Sequence, residues 1–400
     1  MIPGIRHLEI QNFKSIERAV VDLAPFTVLV GPNGAGKSNF VDSLAFLQQL
    51  VSTGIEQMLR FRLSELPYWL PSGQGRSFGL RVEMGLRAGL QAEYSIEIGF
   101  GPGDRAQVTR ERCRVAGPSR PEAVFEVADG RFVREIAGIR AQLTPDSLAL
   151  FAASATEEFR PVYDFLNSMR MYSIVPHDVM GVFRSVESGL SLEQTGGNAA
   201  SVLKAISDRS PEDHARIVRL LGQAVEGITG VEVVVDLDGS LHWRFRKDIG
   251  LAYPTLLPGS SMSDGTLRLL GLLLAIYQPS RPSVLVVEEP EATVHPAVAQ
   301  LVTEILLDAA HDRQVLVTTH SPDILDAKEL SDDQIRVVTQ RQGRTIVSPL
   351  SKASRQAIRD RLYTPGELLR INELDEDADQ AVSSAARLNL FPPLPVPILT

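Results

Sequence analysis

Residues 31–38 read Gly31-Pro-Asn-Gly-Ala-Gly36-Lys37-Ser38, a Gly-x-x-x-x-Gly-Lys-Ser pattern. The apolar run Phe26-Thr-Val-Leu-Val30 precedes it, and a helical pattern follows from Asn39. Glycines at these spacings let backbone N–H groups close on phosphate oxygens. A lysine then reaches the β- and γ-phosphates, and a serine hydroxyl ligates Mg²⁺. The expected nucleotide-binding set is therefore Gly31, Pro32, Asn33, Gly34, Ala35, Gly36, Lys37, Ser38 and Asn39. A strand, this loop and a helix in that order also commit the chain to an α/β architecture with a buried strand.

The chain has 400 residues, 44% of them hydrophobic, which suffices for one large core or two medium ones. Its formal net charge of −9 supplies no overall basic field, so nucleic-acid binding would need a local patch. Arg105, Arg110, Arg112, Arg114 and Arg120 fall in one region and are the candidate stripe, against the alternative of a solvated face. The single cysteine, Cys113, has no partner for an internal disulfide. It points to a reducing compartment, so a cytoplasmic location is expected. No window approaches ~18 uninterrupted apolar residues, so no membrane association is expected.

Alternating runs at Arg6-His-Leu-Glu-Ile-Gln-Asn-Phe and Ala19-Val-Val-Asp-Leu predict an antiparallel pair feeding the buried strand before the loop. Residues 78–136 alternate between Gly, Pro and Asp breaks and predict an antiparallel β-subdomain. Helical spacing marks 39–54, 157–169, 198–207 and 211–227, the last opening on Ser210-Pro-Glu-Asp. Asp238-Gly239 between two apolar runs predicts a hairpin. Beyond residue 372 the chain turns acidic and then proline-rich, and a flexible tail over 373–400 is expected.

A second apolar strand, Val284-Leu-Val-Val287, ends in Glu288-Glu289-Pro290-Glu291, and a third, Gln314-Val-Leu-Val-Thr-Thr319, ends in His320. A crossover helix between them would bring both strand ends to one edge of the sheet. Glu288 is then placed to face Mg²⁺, Glu289 to activate water, and His320 to sense the γ-phosphate. Ser263-Asp264-Gly265-Thr266 opens the apolar helix that precedes this segment, with Ser263 as its cap.

Together these elements resemble the ATP-binding-cassette (ABC) ATPases, in particular the RecF and structural-maintenance-of-chromosomes (SMC) branch. Leu8-Glu-Ile-Gln-Asn-Phe-Lys14-Ser15 and the Gly31–Ser38 loop resemble that branch's N-terminal lobe, and Ser263-Asp264-Gly265-Thr266 resembles its signature motif. Glu288-Glu289-Pro290-Glu291, His295-Pro296 and Thr318-Thr319-His320-Ser321-Pro322 look like the Walker B, D-loop and H-loop of RecF-like and OLD-family ATPases. Gly196-Gly197-Asn198-Ala199 and Tyr363-Thr-Pro-Gly-Glu-Leu-Leu369 look like stretches of small bacterial members associated with phage defence.

The resemblance implies an ABC-type P-loop ATPase head with an antiparallel β-subdomain and a helical signature-motif subdomain. Its expected divisions are 1–55, 78–136, 157–260, 261–350 and 351–372, within a single head over 1–372. It also implies ATP and Mg²⁺ as cofactors and a head-to-tail homodimer, or a higher oligomer, closed around ATP. In that dimer Lys37 and Ser38 of one chain and Ser263 and Gly265 of the other hold one nucleotide. Glu289, His320 and Lys37 are the catalytic set, and Ser38 and Glu288 hold the metal. A Q-loop glutamine is not assignable among Gln48, Gln49 and Gln74.

The leading functional expectation is a switch ATPase that controls a separate effector, a nuclease or toxin, in antiphage defence. The alternatives are a DNA-binding repair or chromosome-maintenance ATPase and, third, a transporter nucleotide-binding subunit. Asp375-x-Asp377-x-Asp379 has no strand before it and is not taken as a nuclease site.

Overall fold

The computed structural model describes residues 2–55, 77–100, 106–118, 120–134, 147–181 and 190–394. Phe26–Val30 (β3) is buried at every position, as a strand covered on both faces must be. It lies inside a six-stranded sheet with Arg170–Tyr172 (β9), Val284–Glu288 (β13), Gln314–Thr319 (β14), Ile335–Arg341 (β15) and Arg344–Pro349 (β16). The order is β16-β15-β3-β14-β13-β9. β15, β3, β14, β13 and β9 run parallel, and β16 returns antiparallel at the edge. Register aligns Thr319 with Val30 and Glu288 with Thr318, so the phosphate loop, the Glu pair and His320 all leave the sheet at one edge.

Side chains alternate across this sheet and so divide two cores. Leu29, Val286 and Leu316 face the helix Lys37–Thr53 and its Phe40 and Leu44. Val28, Val30, Val315 and Val317 face the helix Asp264–Tyr277, whose Leu269, Leu270 and Leu273 are fully covered. The two helices that begin at the loop and at the signature motif are thus held on opposite faces of one rigid layer.

A second, antiparallel sheet joins the N-terminal hairpin to the β-rich middle. Gly4–Phe13 (β1), Ile16–Asp22 (β2), Ser77–Gly85 (β4), Gln91–Phe100 (β5), Ala106–Gly117 (β6), Arg120–Ala128 (β7) and Arg131–Arg134 (β8) run in the order β2-β1-β4-β5-β6-β7-β8. Phe13, Phe46 and Phe78 stack edge to face at 5.2–6.0 Å and tie this sheet to the phosphate-loop helix. The hairpin predicted around Asp238-Gly239 is present between Ile228–Val235 and Leu241–Lys247, with Gly239 at φ 80°. The stretch 157–260, expected as an insertion, is not separate from the nucleotide sheet, because Arg170–Tyr172 is its edge strand.

The flexible tail expected from residue 373 is corrected over the described residues 373–394. Glu376 pairs with Arg341 and bridges to Leu350, and Asp377 caps the helix Ala378–Arg387 through a 3.0 Å bond from the Gln380 N–H. The strap that follows donates the Asn389 N–H to Glu9 (2.9 Å), buries Leu390 over Gly79 and lays the Phe391 ring 4.2 Å from the Arg110 guanidinium. Acidic, proline-rich composition suggested solvation, but Glu376 and Asp377 have cationic partners, Arg341 and Arg355, on the folded surface. Among the described residues no helix is long and apolar enough to cross a membrane.

Candidate nucleotide-binding site

The loop's glycines are required by its surroundings. Gly34 and Gly36 sit at φ 78° and 103°, where a side chain is strained. Gly31 has an ordinary φ, but a Cβ there would lie 2.1 Å from the Val338 carbonyl oxygen of β15. Behind the loop, Thr345 donates to the Ala35 carbonyl (3.0 Å) and shares a 2.7 Å hydrogen bond with Ser15. Asn39 donates to the same Ser15 hydroxyl, so its amide braces the loop from behind. The helix Lys37–Thr53 starts at Gly36 with no side-chain cap, leaving its first N–H groups to face the loop's concave side.

Lys37 is buried, and its ammonium donates to the Gly31 and Pro32 carbonyls at 2.7 and 3.2 Å. Burial lowers its pKa, opposed by the charges of Glu289, Glu291 and Glu288. Ser38 donates to a carboxylate oxygen of Glu288 at 2.7 Å. Burial raises the Glu288 carboxyl above its ordinary value. Two hard oxygen donors in contact beside an anion cradle match what Mg²⁺ requires, one or two protein ligands with phosphate completing its shell.

Glu289 follows in a left-handed conformation, φ 44°, with its N–H on the Thr318 carbonyl (3.0 Å). That turn aims the carboxylate at His320, whose Nδ1 is 3.4 Å away. Adjacent strand residues point to opposite faces, so the positive φ is what lets both glutamates serve one site.

Glu291 is the residue to which sequence reasoning assigned no role. It is buried, accepts from the Thr319 hydroxyl and the His320 N–H, and keeps its second oxygen buried without a hydrogen-bond partner among the described residues. It therefore fixes the backbone that presents His320. The visible signal was a third carboxylate two residues past the pair, in a position too buried for a solvated turn. Asp42, one helical turn beyond Ser38, pairs with Lys14 at 2.5 Å and adds its charge to the field at Glu288.

Ser263 caps its helix through a 3.3 Å bond from the Thr266 N–H and is exposed. A Cβ on Gly265 would lie 2.8 Å from the Thr293 carbonyl, so the signature turn packs on the segment after β13. Among the described residues no hydrogen bond joins this turn to the chain's own residues 31–39. Gln48 donates to the Asn167 carbonyl (3.3 Å) in a helix contact, and Gln74 lies outside the described residues.

The arginines read as either a phosphate stripe or a solvated face are bonded within the chain. Arg110 pairs with Glu126, Arg112 with Glu93 at 2.8 Å and Arg114 with Glu122 at 2.7 Å, while Arg120 donates to the Glu157 carbonyl. Cross-strand carboxylates occupy the guanidiniums of Arg110, Arg112 and Arg114, the Phe391 strap lies on the first two, and Arg105 lies outside the described residues. No group of three or more His, Cys, Asp or Glu side chains among the described residues is arranged to hold a metal, Asp375 and Asp377 included.

A family described as "RecF/RecN/SMC N terminal domain" matches residues 4–67, which contain the phosphate loop. One described as "AAA domain, putative AbiEii toxin, Type IV TA system" matches residues 191–326, which contain Ser263, the Glu pair and His320. The fold is shared with a solved structure titled as the SmcHead bound to the C-winged helix domain of ScpA. That likeness has a TM-score of 0.54 and 15% identity, and covers 87% of this chain and 98% of that one. The chain therefore has the fold of an SMC head, with separate stretches similar to a RecF/RecN/SMC N-terminal domain and to an AAA domain.

Among curated relatives, the chromosome partition protein Smc of Methanocaldococcus jannaschii is 40% identical over 63 residues, 16% of this chain and 5% of that protein. The phosphonates import ATP-binding protein PhnC 1 of Ruegeria sp. is 28% identical over 121 residues, 30% of this chain and 45% of that protein. The chain therefore spans less than half the length of either relative.

Proposed function

We propose that this head, residues 1–372 with its docked strap, binds ATP with Mg²⁺ and hydrolyses it as a dimer switch that controls a separate effector. The observation that carries the reading is the contact of Ser38 with Glu288 at 2.7 Å, beside a buried Lys37 and a Glu289 turned to His320. Lys37 binds the β/γ-phosphates, and Ser38 and Glu288 hold the ion, which neutralises developing charge on the phosphates. Glu289 takes a proton from the attacking water, and His320 orients the γ-phosphate from the far side.

The dimer rests on the exposed Ser263 turn, whose free N–H groups suit a partner's γ-phosphate better than its own chain's. Binding energy for the nucleotide then becomes binding energy between chains, and hydrolysis releases it. The match of residues 191–326 to a family described by a putative AbiEii toxin favours an antiphage role with a toxin or nuclease effector. A DNA clamp is less supported, since Arg110, Arg112 and Arg114 are paired within the chain.

The test is Glu289→Gln in the full chain. ATP turnover falls by about 10²–10⁴-fold, the range for loss of a general base, and light scattering shows an ATP-dependent doubling of mass. Undiminished turnover, or a mass indifferent to ATP, refutes the reading.

A further inference from the structure

A cleft of about 1040 Å³ opens on the side of the molecule away from the phosphate loop. Its walls come from the β4–β5 and β6–β7 turns, the helix Arg160–Asn167, and the segments that enter β13 and β14. Leu86 and Phe165, both buried, and Pro161 and Pro282 give it an apolar floor. The volume stands at the upper end of small-molecule pockets, which are about 300–1,000 Å³, and the combination of apolar lining with a few polar groups is also theirs.

Charge selects the ligand. Five arginines and three carboxylates line the cleft, an excess of positive charge on a chain of net −9. Arg313 is buried and fixed by Asp312 (2.9 Å) and the Ile276 carbonyl (2.9 Å). Arg160 and Arg281 are held by Asp164 and Asp312 at 2.8 and 3.1 Å. Among the described residues Arg120 donates only to a neutral carbonyl, at 3.3 Å, and Arg87 makes no side-chain hydrogen bond or ion pair. Two guanidiniums without a carboxylate partner among the described residues therefore stand on the rim of an apolar floor.

We infer that this cleft binds a small anionic molecule with an apolar body, its acid group on Arg87 and Arg120 and its body on Leu86 and Phe165. The site is separate from the nucleotide site. The cleft is lined by Ser283 and Arg313, just ahead of β13 and β14, whereas Glu288 and His320 stand at the other ends, about 16 and 23 Å along at ~3.3 Å per residue.

The experiment uses nucleotide-free full-length chain and 1-anilinonaphthalene-8-sulfonate, an anion on an apolar ring system. Its uncharged counterpart, N-phenyl-1-naphthylamine, serves as the second probe. The sulfonate binds the native chain about tenfold more tightly than the neutral probe, a difference of ~1.4 kcal/mol. Arg87→Glu/Arg120→Glu removes that preference, Arg87→Glu alone removes part of it, and neither changes the neutral probe's affinity. Both positions lie on the rim, and an unchanged unfolding midpoint checks that the variants fold. Saturating ATP leaves the sulfonate bound, whatever the fate of the ATPase reading. Equal sulfonate affinity in the double variant, displacement of the probe by ATP, or binding of an acidic peptide in preference to the probe overturns the proposal.

Discussion

Gly31→Ala tests the loop where it packs against backbone. A Cβ at Gly31 would lie 2.1 Å from the Val338 carbonyl oxygen, a backbone atom of β15, which is itself paired with β16. Ordinary contact needs more than 3 Å, so the loop or the ladder must shift by about 1 Å. Overpacking of this kind costs roughly 1–3 kcal/mol of stability. A 1 Å displacement of a positioning element costs about 10²-fold in turnover. Gly34→Ala is the control, since its Cβ meets nothing within 4 Å and only the φ of 78° is strained, at roughly 1–2 kcal/mol. Urea unfolding and fluorescent-ATP titration of both variants separate the two effects. Gly31→Ala is expected to lose stability and weaken ATP binding at least tenfold, and Gly34→Ala to lose stability with a smaller change in affinity. If Gly31→Ala binds ATP like the native chain at an unchanged unfolding midpoint, the steric argument for the loop is wrong.

Three further outcomes are expected. Burial raises the Glu111 carboxyl from 4.5 to about 7, although Ala149 and Leu150 N–H groups donate to it. The folded chain then holds a proton that the unfolded chain releases, so the contribution of Glu111 to stability is full below pH 4.5 and is lost as pH rises towards 7. At 1.36 kcal/mol per pH unit this amounts to about 3 kcal/mol, and a wild-type minus Glu111→Gln stability difference that does not vary between pH 4 and 8 would contradict it. Leu390→Ala removes the buried contact over Gly79 and lowers stability by about 2 kcal/mol, whereas a freely moving tail gives no change in urea midpoint. Glu291→Ala frees Thr319 and His320 and lowers turnover roughly tenfold or more with little change in ATP affinity; parallel loss of affinity would show that Glu291 holds the loop instead.

The phosphate loop, the Glu288–Glu289 pair and His320 were legible from sequence because each follows a run of apolar residues that must be a buried strand. Chemistry placed at the end of such a strand has few destinations, and the helix between β13 and β14 forces both ends to one edge. The sequence also announced the Ser263 cap and the Asp238-Gly239 hairpin, since both are set by interactions three residues apart or fewer. What lay beyond it were contacts between residues far apart in the chain. Glu291 differs from a solvated acidic turn only through its bonds to Thr319 and His320, 28 and 29 residues later. Arg110, Arg112 and Arg114 read as a phosphate stripe until cross-strand register set glutamates beside them. The tail read as flexible because composition counts charges and prolines but cannot show that Glu9, Gly79 and Arg110 await Asn389, Leu390 and Phe391. Local pattern determined the strands and the reactive groups at their ends. Only the tertiary structure decided which charges are neutralised within the chain and which remain to meet a ligand, because that depends on strand register and on partners from 8 residues away (Arg114–Glu122) to 280 (Arg112–Pro392).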